Sequence, residues 1–251
     1  MIEIHPLSTI GEVTPGDDLG RLLAEAIKVA RLAPEPFDVL MVTQKIVSKA
    51  EGRFVDLASV TPGPKAIELA AITRKDAQFV EIVLAESSAV IRAAPDVLIT
   101  RHRSGHVMAN AGVDRSNMGP GGDDRALLLP VDADASAQRL RSALREYWPQ
   151  PPAILISDSF GRPWRLGITN VAIGASGLPA LIDRRGEVDR NGRRLEVTQV
   201  ALGDMLASAG GLVTGEGAEG IPAVLVRGLR WEAHDCPAAA LVRPVAEDLF
   251  R

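Results

Sequence analysis

Four short segments carry the residue types that could do chemistry. The first is Ala109-Asn110-Ala111-Gly112-Val113-Asp114-Arg115-Ser116-Asn117, where small residues lead to an acid and an amide. A carboxylate in that setting is a natural ligand for a hard cation; the alternative is that Asp114 and Asn117 simply close Asx-turns. The second runs from Ile154 to Arg165 and delivers Asp158 and Ser159 after an apolar run, with Arg162 and Arg165 close behind. A carboxylate and a hydroxyl beside two guanidiniums suit a metal-bound phosphate, or else form a strand-ending turn with surface arginines. In the third, Thr214 to Pro222, three glycines flank Glu216 and Glu219. Backbone N–H groups there could cradle a phosphate only with a cation between it and the acids; otherwise the segment is a flexible turn. The fourth is Val42 to Arg53, in which Lys49 and Arg53 share a helix face if the helix extends that far. Two cations on one face hold phosphates or make a solvated surface.

Composition narrows the partners these segments could serve. The chain has 251 residues with a formal charge of −4, and aromatics make up 4%. A mildly acidic balance and so few stacking rings argue against nucleic acid. Hydrophobic residues at 46% and charged residues at 24% are ordinary for a globular chain. One cysteine, Cys236, excludes an internal disulfide and a Cys-rich zinc site, and fits a reducing, cytoplasmic setting. Met1 to Pro6 has neither a basic nor an apolar signal region. No apolar run approaches the length of a membrane span. His5, His102, His106 and His234 do not make a zinc pattern with Cys236. The arginine-rich stretch at 184–194 reads as an exposed, solvated turn.

The elements that must position these groups are legible from periodicity. Asp17 can cap a helix carrying Leu19, Leu22, Leu23, Ala26, Ile27 and Ala30, stopped by Pro34 and Pro36. Val39–Val42 reads as a buried strand running into a helical segment at 43–49. Helices are expected at 67–74, 77–84, 133–147 and 195–209. Strands are expected at 97–100, 153–156 and 223–226, with a hairpin partner at 106–109 and a loop at 117–124. Strands and helices mix without strict alternation, so the expected class is α+β in one unit over 1–251, with no linker separating independent domains.

Several of these stretches together resemble one family, the coenzyme F420-0:L-glutamate ligases, or gamma-glutamyl ligases. The resemblance rests on Pro15 to Leu19 (PGDDL), Val42 to Arg53 (VTQKIVSKAEGR), Ala109 to Asn117 (ANAGVDRSN) and Leu129 to Asp132 (LPVD). It continues through Ser157 to Arg165 (SDSFGRPWR), Ala172 to Gly174 (AIG), Thr198 to Ala201 (TQVA) and the closing Leu241 to Phe250. It is to the family's stand-alone form. The resemblance implies a GTP-dependent ligase that joins the amine of L-glutamate to a carboxylate of F420-0, with further gamma-linked glutamates able to follow. It implies divalent metal, Mg2+ or Mn2+, at one or two sites, and a K+ requirement. Asp114 and Asp158 would bind the first metal; Asp158, Ser159 and Glu216 would contribute to a second. Ile10, Gly11, Glu12, Val13 and Gln44 would contact the nucleotide, Lys49 its phosphates, and Asn117 the nucleotide again. Asp114, Asp158 and Arg162 would be the catalytic groups, with Arg162 and Arg165 at substrate or phosphate. The implied fold is α+β with two interlocked subdomains, mixed and antiparallel sheets, and an intertwined homodimer. Two other readings stay open on the residues: a metal- and nucleotide-dependent ligase for another amino acid or carboxylate, and a non-catalytic nucleotide- or F420-binding relative.

Overall fold

The computed structural model describes residues 1–116 and 124–248. In chain order the elements are β1 (Glu3–Pro6), α1 (Leu19–Val29), β2 (Val39–Thr43), α2 (Gln44–Ala50), β3 (Phe54–Asp56), α3 (Pro64–Thr73), α4 (Ala77–Ala85), β4 (Ser87–Ala94), β5 (Val97–His102) and β6 (Val107–Ala109). There follow β7 (Arg125–Leu127), α5 (Ala133–Leu144), β8 (Ala153–Arg162), β9 (Arg165–Ser176), β10 (Ile182–Asp183), β11 (Gln199–Val200), α6 (Leu202–Thr214) and β12 (Ala223–Arg227).

The central sheet has the order β1-β12-β2-β8-β9. Only β2 and β8 run parallel; the other neighbours are antiparallel. Residues on β2 alternate between two cores, as a strand buried on both faces must. Leu40 and Val42 join Ile154, Ile156 and Leu225 under α1 and α5. Val39 and Met41 join Leu155, Val224 and Val226 under α6. That helix approaches so closely that a Cβ on Gly210 would meet the Met41 sulfur at 2.3 Å. A third core gathers Leu69, Phe79, Val83, Leu98 and Leu128, from α3, α4 and the strands around them. The class is therefore mixed α+β, as the element order suggested. Among the described residues no helix is long and apolar enough to cross a membrane.

Several elements differ from their sequence reading. Asp18 caps α1, its Oδ1 accepting from Arg21 N at 2.9 Å, while Asp17 closes the preceding turn onto Thr14. The helix expected at 195–209 begins only at Leu202, because Gln199–Val200 is drawn into pairing with Ile182–Asp183. Helix α5 ends at Leu144 instead of Tyr147. The largest difference is β8, which continues from the apolar run through Arg162 and turns into β9 as a long hairpin. Its polar, Gly-containing second half, followed at once by Pro163, imitates a loop in sequence, but cross-strand pairing overrides that local preference. Lys49 and Arg53 do not share a helix face, since α2 stops at Ala50 and Gly52 takes φ +67°.

Candidate functional site

An open cleft of about 590 Å³ lies where the carboxyl end of β2 and the middle of β8 meet the loops that precede α1 and follow α6. Asp158 sits inside β8 yet at the margin of the sheet, because the parallel neighbour β2 stops at Thr43, opposite Ser157. A register shift between Ile156 and Ser157 opens the strand just there. Such irregularities re-aim side chains beside sites.

Each wall has a local cause. Thr43 passes from extended backbone straight into α2, which turns Gln44 and Lys45 toward the cleft. Gln44 is buried, its Oε1 accepting from Ser48 Oγ at 2.9 Å. In the loop before α1, Ile10 and Val13 are buried anchors and Gly11 and Glu12 bow outward between them. Asp114 follows three left-handed residues, Asn110, Ala111 and Gly112, at φ +52°, +53° and +70°. Non-glycine residues hold that conformation only where packing enforces it, and Ala111 is fully buried. The backbone of Asp114 then exchanges both bonds with Leu127, at 3.0 and 2.8 Å. In the loop after α6, Gly215 takes φ +66°, and a Cβ there would strike the Glu219 carboxylate. Glu219 in turn accepts from Gly217 N at 2.8 Å, which folds the loop that carries Glu216.

Electrostatically the cleft is an acid–lysine mosaic. Lys45 Nζ lies 2.6 Å from Asp114 Oδ2 and donates to Ser116 Oγ at 2.9 Å. Burial alone would raise Asp114, but the bonds from Lys45 and Ser116 outweigh it and hold the carboxyl below its usual range. Buried Lys49 reaches out to Glu12 at 2.5 Å. Asp158 is treated oppositely. Burial, reinforced by the charges of Asp114 and Glu216 and opposed by the Ser159 N–H and Lys45, pushes it up to about 7. Two buried hydroxyls in the same walls, Ser157 Oγ and Thr214 Oγ1, have no hydrogen-bond partner. Satisfied cores rarely tolerate such groups, whereas binding sites keep them.

The structure thus brings Ile10, Gly11, Glu12, Val13, Gln44, Lys49, Asp114, Asp158, Ser159 and Glu216 to one cleft. Arg162 is not among its lining residues; it stands at the tip of the β8–β9 hairpin, its Nη2 donating to Leu166 O at 3.2 Å. Asn117 lies outside the described residues. Lys45, Ser116, Ser157, Asn170 and Thr214 line the cleft and were not singled out from sequence. One signal was available: Ser157 is the first polar residue after the apolar run of β8. Asn170 was hidden because no element was expected over its stretch of the chain.

The oxygen donors present, two carboxylates with Glu216 and Ser159 nearby, are the chemistry a hard divalent cation takes. Among the described residues no three His, Cys, Asp or Glu side chains stand together as a ready-made metal cage. Lys45 occupies one face of Asp114, as a cation would.

Fold and cleft together define an α+β protein whose sheet margin pairs clustered carboxylates with lysines around a small-molecule-sized opening. The sequence comparisons make the class specific: the F420-0:gamma-glutamyl ligase profile matches residues 9–228, and the chain belongs to that family. It is 46% identical to the coenzyme F420:L-glutamate ligase of Methanopyrus kandleri, across 100% of this chain and 98% of the relative. The enzymes of the same name from Methanothermobacter thermautotrophicus and Natronomonas pharaonis are 41% and 44% identical. Those alignments cover 95% and 100% of this chain, and 94% and 95% of the relatives.

Proposed function

We propose that this chain is a GTP-dependent ligase that joins L-glutamate to coenzyme F420-0, forming the first glutamyl product and able to add further gamma-linked glutamates. Family membership over residues 9–228 is the observation that carries this reading. Chemistry explains the need for a nucleotide. A carboxylate is a poor acylating agent because oxide leaves badly. In the proposed first step a carboxylate oxygen of F420-0 bonds to the gamma-phosphorus, the bridging P–O bond breaks and GDP leaves. In the second the glutamate amine attacks the acyl carbon, the C–O bond to phosphate breaks, and inorganic phosphate leaves as the nitrogen loses a proton.

The cleft's own residues suit anions that must approach one another. Lys45 and Lys49 are held on Asp114 and Glu12 and face the opening. A triphosphate would draw both ammonium groups off their carboxylates, placing them on phosphate oxygens without a large conformational change. Ser157 and Thr214 supply unspent donors for substrate oxygens. Asp114, Asp158, Ser159 and Glu216 are the groups that would hold one or two divalent cations, Mg2+ or Mn2+. Such cations, when bound, relieve repulsion between carboxylate and triphosphate and stabilise charge on the transferred phosphoryl group. A K+ requirement belongs to the same proposal. So do the catalytic assignment of Asp114 and Asp158, a cytoplasmic setting and a homodimer of two interlocked subdomains. The exposed Met205 and Leu212, two turns apart on α6, support the dimer as an apolar stripe.

The test is incubation with F420-0, L-glutamate, GTP and Mg2+ or Mn2+, followed by mass analysis. The expected product is heavier than F420-0 by one glutamyl residue and forms only when all components are present. GTP binding with no product under any cation would overturn the proposal in favour of a non-catalytic relative. Product only with a different amino acid would change the acceptor.

A further inference from the structure

Helix α2 sends two lysines into the cleft, and they hold different acids. Lys49 takes Glu12 Oε1 at 2.5 Å, on the loop before α1. Lys45, one turn earlier, takes Asp114 Oδ2 at 2.6 Å. That second contact is a closed knot. Ser116 N donates to Asp114 Oδ1 at 2.8 Å, and Ser116 Oγ donates to Oδ2 at 2.9 Å. The Lys45 ammonium adds bonds to Ser116 Oγ at 2.9 Å and Ser116 O at 3.2 Å. A carboxylate offers about four lone-pair positions, so little of Asp114 is left over. The same ammonium acts on Asp158, where its charge opposes those of Asp114 and Glu216.

Asp114 and Asp158 are the acids proposed above to share a divalent cation. A dication and an ammonium cannot both sit on Asp114 Oδ2, since like charges a few ångströms apart repel strongly in a half-buried cleft. Lys45 must therefore leave before that oxygen can coordinate. Its flexible four-carbon stem lets the ammonium swing away while α2 stays in place. Leaving for water forfeits a charge-assisted bond, whereas leaving for a phosphate oxygen replaces it. Lys49 faces no such conflict, because Glu12 is not one of the four groups assigned to cations.

We propose that Lys45 is a displaceable plug in the cation site, coupling divalent cation to triphosphate, while Lys49 serves the triphosphate alone. The inference rests on the ligase reading, which brings both ligands to this cleft. By linkage, the factor that nucleotide adds to cation affinity is the factor that cation adds to nucleotide affinity. Direct contact between metal and phosphate supplies part of that factor in any such cleft. The Lys45 exchange supplies a further part, and only that part is lost with the lysine.

The experiment is equilibrium titration of the full chain with Mn2+ alone, free Mn2+ being read by electron paramagnetic resonance. It is repeated with a saturating non-hydrolysable GTP analogue, corrected for Mn2+ held by the analogue in solution. Lys45→Met is expected to bind Mn2+ alone about tenfold tighter than the parent, and Lys49→Met within about threefold of it. The gain in Mn2+ affinity that the analogue brings is expected to shrink about tenfold in Lys45→Met and to persist in Lys49→Met. The parent supplies an independent measurement should Lys45→Met fail to fold: reductive methylation of its lysines, mapped by mass. Mn2+ alone is expected to speed modification of Lys45 and leave Lys49 unchanged. Mn2+ affinity in folded Lys45→Met no tighter than the parent's would overturn the coupling and leave the ligase reading intact. So would an unchanged methylation rate at Lys45 where that variant does not fold. Equal tightening in both lysine variants would reduce the effect to net charge and also overturn it. A parent that binds neither Mn2+ nor the analogue would remove the ligase reading and the coupling with it.

Discussion

Aspartates stand at opposite ends of the central sheet, and Asp158 at one end is treated in the opposite way from Asp132 and Asp134 at the other. At the end where β9 finishes, Asp134 Oδ1 accepts from Ala175 N at 2.7 Å and Ala238 N at 2.8 Å, and its Oδ2 from Ala239 N at 3.1 Å. Asp132 caps α5 through Ala135 N at 2.9 Å. Both carboxylates are spent on backbone N–H groups, and they tie α5 to β9 and to the closing segment of the chain. At the other end Asp158 lies among Asp114 and Glu216 and is pushed up to about 7 by burial and their charges. Unpartnered Ser157 and Thr214 hydroxyls stand in the same cleft. The same side chain thus serves architecture at Asp134, where three N–H groups surround it, and at Asp158 is buried beside other carboxylates with a single N–H to offset them. Stability is conceded locally at the second site, a common mark of function.

The largest effect that would sharpen this contrast is in activity. Asp158→Asn is expected to lower glutamate ligation by at least about a hundredfold, while the cation-free protein melts no lower than the parent and up to about 2–4 °C higher. A variant that stays active, measured by product mass, or melts well below the parent would break the contrast. Asp134→Ala should do the reverse. Three N–H groups lose a charged acceptor, so unfolding in urea is expected to cost about 3 kcal/mol. Activity per folded molecule should hold, and a loss under about 1 kcal/mol would show that the carboxylate is not the tie proposed.

Acidity provides an intermediate effect of two signs. Burial, aided by the His102 charge, lowers His106 to about 4. Between the ordinary value near 6.5 and about 4, the unfolded chain therefore binds a proton that the folded chain refuses. Stability is complete above that window and falls on acidification through it, by about 3 kcal/mol. Asp158 works the other way. Its folded form holds a proton that the unfolded chain has released, so cation-free stability falls as pH rises from about 4 to about 7. Melting His106→Gln and Asp158→Asn across pH 4–8 separates the two, and Mg2+ should flatten the Asp158 component alone. The smallest effect belongs to Asp132→Ala, where loss of the cap is expected to cost about 1 kcal/mol with no change in the KM for any substrate.

Local pattern revealed much of the scaffold. The apolar runs at Val39–Val42 and Ala153–Ile156 are strands, and Ala133 does open a helix. The acids of the cleft stood out because Asp114 and Asp158 each follow small or apolar residues. Lys45 did not stand out, since a lysine at a helix start has many surface uses, and its value appears only when Ser116, 71 positions away, closes on it. The long hairpin was missed for a related reason. Gly161 and Pro163 are turn formers in isolation, and only the facing strand makes Phe160 and Arg162 part of a ladder.

By itself the amino-acid order determined the segments that exclude water, the caps and breakers that end helices, and the family motifs, all of which act over a few residues. Tertiary structure alone decided that β2 and β8 lie side by side and in parallel, so that Thr43 stops opposite Ser157 and leaves Asp158 at an open margin. It also decided that two lysines and four carboxylates from five separate stretches share one opening. The physical reason is that bringing distant residues together costs chain entropy that no local preference can repay. Only burial of the cores on both faces of the sheet offsets it, and those cores exist only once the whole chain has closed.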